Sequence, residues 1–134
     1  MGLDNGVCVR RTPETNKIQT LEDLNFWGLD KEKKYDFDIV YYRKCWNIRN
    51  DLFHLGIGYD QGEYPMSAQD VDKMIDLLSS YNSENFEDGG GCIWEWDDED
   101  YPYSEKIKQD IEALKTLREL MDKHELEVYF YDSY

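Results

Sequence analysis

The stretch from Val40 to Leu55 constrains the fold most strongly, because this acidic chain sets apolar, aromatic and cationic residues there at helical spacing. At about 3.6 residues per turn, positions three or four apart fall on one side of a helix. Asp38 is positioned to cap such a helix, and Gly56 and Gly58 to end it. The predicted core-facing stripe consists of Tyr41, Cys45, Ile48, Leu52 and Leu55.

The other two faces of this predicted helix carry side chains suited to binding an anion. Arg43 and Arg49 offer planar guanidinium groups that pair with phosphate or carboxylate, and an adjacent aromatic ring can stack on a base. The alternative is a solvated helix face whose cations pair with acidic groups elsewhere in the chain. The candidate ligand-binding residues are Tyr42, Arg43, Lys44, Trp46, Asn47, Arg49, Asn50, His54 and Tyr134.

Charge is distributed unevenly along the chain. The net charge is −15, which argues against direct contact with nucleic acid or an anionic membrane, because phosphate contacts need Lys and Arg. Residues 1–50 are near neutral at +1, whereas residues 51–134 carry −16. A negative field of this kind speeds encounter with basic partners.

One acidic segment has flanking aromatic residues that could anchor a protein partner. A calcium site is the weaker interpretation of this segment, because the D-x-[DN]-x-[DN]-G pattern is missing. The plain alternative is an acidic turn that keeps the protein soluble. The predicted partner-binding residues are Trp94, Trp96, Asp97, Asp98, Glu99, Asp100 and Tyr101.

The remaining segments predict an α+β fold. Ser67 and Asp70 have the spacing of a capping box and start a second helix, and a third helix is expected over 104–124. Short strands are expected at 7–10, 92–96 and 126–131. We therefore expect three helices packed on a small antiparallel or mixed sheet, in a single domain over residues 1–134.

Motifs of catalysis and metal binding are missing from the sequence. It contains no G-x-S-x-G, H-E-x-x-H or Walker pattern, and its three cysteines are widely spaced without a C-x-x-C pair. We expect no enzymatic activity, no cofactor, no bound metal and no disulfide framework. The lack of a signal peptide or membrane span, together with the cysteine pattern, indicates the reducing cytosol.

Several short segments of the chain, from the N-terminal Met1–Asp4 to the C-terminal Phe130–Tyr134, resemble segments of a group of small phage and prophage proteins that begin MGLD. The match covers most of residues 1–10 and 41–134, whereas 11–38 match poorly. The group usually has Trp where this chain has Tyr42 and Tyr134. The resemblance implies a phage-type setting and no particular chemistry. The matching segments are Met1–Asp4, Tyr41–Lys44, Gly62–Tyr64, Tyr103–Glu105 and Phe130–Tyr134.

Two functional hypotheses follow. The first is a non-enzymatic counter-defence protein of a phage, in the host cytosol, that sequesters a small anionic, nucleotide-like ligand with the 40–55 helix. The alternative is an acidic, anti-CRISPR-like inhibitor that mimics nucleic acid and blocks a basic groove of a host protein with residues 97–103. An exposed C-terminal strand could also pair edge to edge into a homodimer.

Overall fold

The computed structural model of the protein describes residues 3–28, 31–43, 45–82, 84 and 104–133. Within these ranges, four α-helices and a four-stranded antiparallel sheet of order β2-β1-β4-β3 form an α+β fold, as the sequence predicts. None of the helices in the described ranges combines the length and apolar character needed to cross a membrane. The elements are β1 (Asp4–Val9), α1 (Gln19–Leu24), β2 (Phe37–Arg43), α2 (Trp46–His54), β3 (Gly62–Pro65), α3 (Ala68–Ser80), α4 (Ser104–Lys123) and β4 (Val128–Ser133), with a short 3-10 helix at Thr15–Lys17.

One face of the sheet packs against the helices. Asn5 lies between Tyr42 and Asp132 in the strand register, and Val7 lies beside Phe130. Register partners project to the same face of a sheet, and all five of these residues are buried. The hydrophobic core therefore sits between this face and the apolar sides of α2, α3 and α4.

The opposite face, called here the open face, is formed by the alternate residues of the same strands. Among the described residues, the turn after α1 reaches around the β2 edge toward this face, where the Phe26 N–H donates to the Asp38 carbonyl. Strand register places on the open face Gly6 and the side chains of Asp4, Cys8, Asp38, Tyr41, Arg43, Glu63, Tyr129 and Tyr131.

The helix predicted over 40–55 is wrong in its first third. Residues Phe37–Arg43 form β2, and α2 begins only at Trp46. The run from Ile39 to Tyr42 is β-branched and aromatic, which favours a strand when a neighbouring strand is available to pair with it. Within α2, Ile48 and Leu52 are buried as predicted, whereas Leu55 is exposed.

Cys45 is disulfide-bonded, whereas the sequence predicts no disulfide framework. It is buried immediately before α2. Cys8 is a free, buried thiol.

Local signals elsewhere in the chain are confirmed. The Ser67 hydroxyl accepts from the Asp70 N–H, and the Asp70 carboxylate accepts from the Ser67 N–H, so the predicted capping box starts α3. The predicted third helix is α4. The strand predicted at 92–96 lies outside the described residues.

Two strand assignments differ from the sequence interpretation. β1 begins at Asp4, three residues before the strand expected at 7–10, and β3 (Gly62–Pro65) lies where no strand is expected. The C-terminal strand β4 is not an edge, because it pairs with β1 on one side and β3 on the other. The homodimer suggested for that strand would need a different surface.

Gly6 is required by the close approach of β2, which gives the first testable prediction. A Cβ at this position would collide with the Val40 carbonyl oxygen and lie 3.2 Å from the Tyr131 ring. Gly6→Ala should therefore lower the free energy of unfolding, measured in urea, by about 2 kcal/mol or more.

Gly56→Ala is the control for this prediction. A Cβ there meets nothing within 4 Å, and only the positive φ of 85° opposes it, so the cost should be about 1 kcal/mol. A Gly6→Ala protein as stable as the wild type would contradict the register that places the two sheet faces.

Candidate functional site

Arg49, the central cation of the predicted anion site, is used inside the fold. Its Nε lies 2.9 and 3.0 Å from the two carboxylate oxygens of Asp132. The side chains of Arg49 and Asp132 are only 11% and 0% exposed. The guanidinium also lies 5.2 Å from the Trp46 ring centroid and 4.4 Å from that of Phe53. Arg49 therefore ties α2 to β4. It pairs with an acidic group elsewhere in the chain, as the alternative interpretation of this segment expects, but the pair is buried and not solvated.

The other predicted ligand-binding residues are divided among several surfaces. Tyr42 is buried on the helix-covered face of the sheet, whereas Arg43 is exposed on the open face. Asn50 and His54 are exposed on α2. Asn47 is half-buried, and neither atom of its amide is hydrogen-bonded. The structure thus brings Trp46 and Arg49 together but separates them from Arg43.

Several predicted site residues cannot be placed. Lys44 and Tyr134 lie outside the described residues, so their assignment as ligand contacts stays a prediction. In the part of the chain that the structure describes, no three His, Cys, Asp or Glu side chains group as metal ligands. The predicted partner contacts Trp94, Trp96, Asp97, Asp98, Glu99, Asp100 and Tyr101 also lie outside it.

The open face is organised by hydrogen bonds from phenol and thiol groups to carboxylates. Carboxylate acceptors make such bonds short and strong, so the side chains are held in fixed positions. The phenol and thiol donors are thereby used internally. The three bonds are Tyr41 Oη to Asp4 Oδ1 at 2.6 Å, Tyr129 Oη to Asp36 Oδ2 at 2.6 Å, and Cys8 Sγ to Asp38 Oδ1 at 2.9 Å.

A cavity of about 390 Å³ opens on this face. Its floor includes Cys8 and Tyr129, which are buried, and its rim includes Tyr35, which is 74% exposed. A cavity of this size is at the lower end of the range for small-molecule sites, so it has room for one side chain or a small ligand. Its lining residues are Cys8, Tyr35, Asp36, Asp38, Glu63, Tyr129 and Tyr131.

Arg10 shows what chemistry this face can hold. Its guanidinium lies 4.3 Å from the Tyr129 ring centroid and donates to Asp36 at 2.9 Å and to Glu63 at 2.8 Å. Three residues that line the cavity therefore already bind a guanidinium, one through its ring and two through carboxylates. This is the combination of stacking and charge pairing that arginine prefers.

Burial controls the protonation of the cavity. Burial raises the pKa of Cys8 and of Tyr129, and the hydrogen bonds that they donate to Asp38 and Asp36 raise it further. Burial also raises the pKa of Asp38, against hydrogen bonds from Cys8 and Trp27 that lower it. The Cys8 thiol and the Tyr129 phenol are therefore neutral at physiological pH.

Exposed aromatic rings extend the open face at the β2 edge. Trp27 is 63% exposed, and its ring centroid lies 5.1 Å from that of Tyr41. Burial, followed by the hydrogen bond to Asp4, raises the pKa of Tyr41 to about 12. Trp27 and Tyr41 therefore form a neutral aromatic pair, fixed at one side, next to the carboxylates.

Sequence reasoning missed this surface as a site. The alternation in the C-terminal strand does place Tyr129 and Tyr131 on one side, and that signal was readable. Tyr35, Asp38 and Glu63 come from distant segments that only strand pairing brings together, so no local pattern marks them.

Comparison of the chain with protein-family models, with curated proteins and with solved structures finds no match. Its function must therefore be argued from the geometry and charge of the described residues.

The buried pair between Arg49 and Asp132 gives the second prediction. Arg49→Met leaves the Asp132 carboxylate buried without its cation, which should cost about 3–5 kcal/mol of unfolding free energy in urea. Arg49→Met combined with Asp132→Leu should recover most of that loss, because no uncompensated charge remains.

Arg118→Met serves as the matched control. Arg118 pairs with the carboxylates of Asp72 and Asp122, and both carboxylates lie at the surface. Its replacement should cost much less than that of Arg49, because solvent screens an exposed ion pair. Equal costs for Arg49→Met and Arg118→Met would refute a structural role for Arg49.

Proposed function

We propose that the protein is a non-enzymatic binding protein that uses its open face to block a basic surface of a partner protein. In the phage-type setting that the resemblance implies, the partner would be a host protein. The observation that carries the proposal is the combination, on one sheet face, of exposed aromatic rings and carboxylates. The proposal keeps the acidic-inhibitor hypothesis and moves its contact surface to residues that the structure describes.

Charge supports a basic partner. The protein carries a net charge of −15, and the open face adds a local excess of carboxylates. Asp4 and Asp38 meet no cation within 4 Å among the described residues, whereas Asp36 and Glu63 share Arg10. A surface of this sign steers basic partners into contact and excludes nucleic acid.

Aromatic residues supply the anchors for such a contact. Trp27 and Tyr35 are 63% and 74% exposed, and residues of these types dominate the binding energy of protein interfaces. The Trp27 ring contacts the tilted ring of Tyr41, whose hydroxyl is fixed by Asp4. Little side-chain freedom remains to be lost there when a partner binds.

A second candidate function rests on Trp46. This ring is 37% exposed on α2, and the Arg49 guanidinium lies on it. The ring could stack on a base, and the amide of Asn47, which is not hydrogen-bonded, could read a polar edge. Thermal stabilisation of the wild type by a nucleotide, lost in Trp46→Ala, would favour this candidate.

Capture of a partner from bacterial lysate tests the main proposal. The immobilised wild type should retain a discrete set of basic proteins at about 0.05 M salt and release them near 0.5 M, because surface charge is screened. Trp27→Ala combined with Tyr35→Ala should lose that set. Both replacements leave the net charge unchanged, so the loss cannot come from a weaker overall field.

Tyr59→Ala is the matched control for this capture. Tyr59 is 80% exposed, and its ring contacts that of Tyr64. The strand register places Tyr64 on the helix-covered face of the sheet, away from the open face. This variant should retain the same proteins as the wild type. The proposal is wrong if the open-face double variant and Tyr59→Ala capture the same proteins.

A further inference from the structure

We infer that the cavity on the open face is a receptor pocket for a single guanidinium group, supplied by an arginine side chain of the partner. This inference rests on the proposed function and names the group that the surface recognises. It depends on the shape of the cavity, on its aromatic walls and on the guanidinium that already lies at its edge.

The walls of the cavity combine aromatic rings with carboxylates. Tyr35, Tyr129 and Tyr131 contribute rings, and Asp36, Asp38 and Glu63 contribute carboxylates, around about 390 Å³ of space. Aromatic faces attract cations, and carboxylates accept two N–H donors from one planar guanidinium. A phosphate group would meet negative charge here and be repelled.

A guanidinium of the protein itself, that of Arg10, already lies at the edge of the cavity. Arg10 lies over one ring of the cavity lining and pairs with two of its carboxylates. The same lining residues therefore already bind a guanidinium in the folded protein. Arg10 itself is not part of the lining, and the cavity beside it remains open.

The Asp38 carboxylate of the cavity has no cation beside it among the described residues. Asp38 forms no ion pair with any described residue, and its hydrogen bonds come from a thiol and an indole, which are neutral donors. A half-buried carboxylate with no cation is costly, and a guanidinium placed in the cavity would offset that cost. Burial raises the pKa of Asp38, so a bound cation should also favour its ionised form.

Guanidinium is favoured over ammonium for two reasons. A planar group stacks on tyrosine while donating to carboxylates at its edge, and it is less strongly hydrated than the ammonium of lysine. Lysine would gain the charge pairing but little of the stacking.

The test uses the full chain and a small probe, N-acetyl-arginine amide, titrated by two-dimensional NMR. The neutral isostere N-acetyl-citrulline amide and N-acetyl-lysine amide are run in parallel. The arginine probe should shift resonances of Cys8, Asp38, Tyr129 and Tyr131, should bind at least about tenfold more tightly than the lysine probe, and the citrulline probe should not bind.

Two pocket variants and one control complete the test. Asp38→Asn should weaken binding of the arginine probe at least about tenfold, and Tyr35→Ala, at an exposed position that the fold tolerates, should weaken it measurably. Asp76→Asn removes a carboxylate that is exposed on α3 and should have no effect. Equal weakening by Asp38→Asn and Asp76→Asn, binding of citrulline, or lysine binding as tight as arginine would overturn the inference.

The two proposals fail in distinguishable ways. If lysate capture depends on Trp27 and Tyr35 but the arginine probe does not bind, the contact surface stands and the guanidinium pocket is wrong. If the probe binds in the pocket but capture ignores the open face, the proposed function is wrong and the pocket serves another cationic group.

Discussion

The ion pair between Arg49 and Asp132 is the interaction on which the rest of the structure depends. It joins α2 to β4 beneath the helix layer, and its carboxylate is completely buried. A buried pair of this kind is costly to break and contributes little net stability when intact. Its main effect is positional, because it holds α2 on one side of the sheet and removes the central cation from the surface proposed to bind an anion.

The strand register completes that division. β1 lies between β2 and β4, so Asn5 and its register partners Tyr42 and Asp132 point into the core, while Asp4 and Cys8 point to the open face. The carboxylates and tyrosines that reach the open face come from four strands and one loop. A rigid sheet positions such a set more accurately than loops would, which is why a cavity with aromatic walls and acidic groups can form there.

The sequence predicts well wherever the signal is local. The capping box of Ser67 and Asp70 and the helix expected over 104–124 each depend on residues within a few positions of one another, and both are confirmed. It predicts poorly where the deciding contact is distant. Residues 40–43 continue the apolar period of the following helix, but pairing with β1 makes them part of a strand. Arg49 meets a carboxylate that is 83 positions away. The open face depends wholly on such distant pairing, so its site was not predicted.

Radical footprinting of the aromatic rings in the complex with a captured partner would test the central claim most directly, because it reports which surface the partner covers. The account predicts that oxidation of Trp27, Tyr35 and Tyr131 falls in the complex, while that of Tyr59 and Trp46 is unchanged. Protection of Trp46 with no change at Trp27 and Tyr35 would contradict the account and return the functional surface to α2.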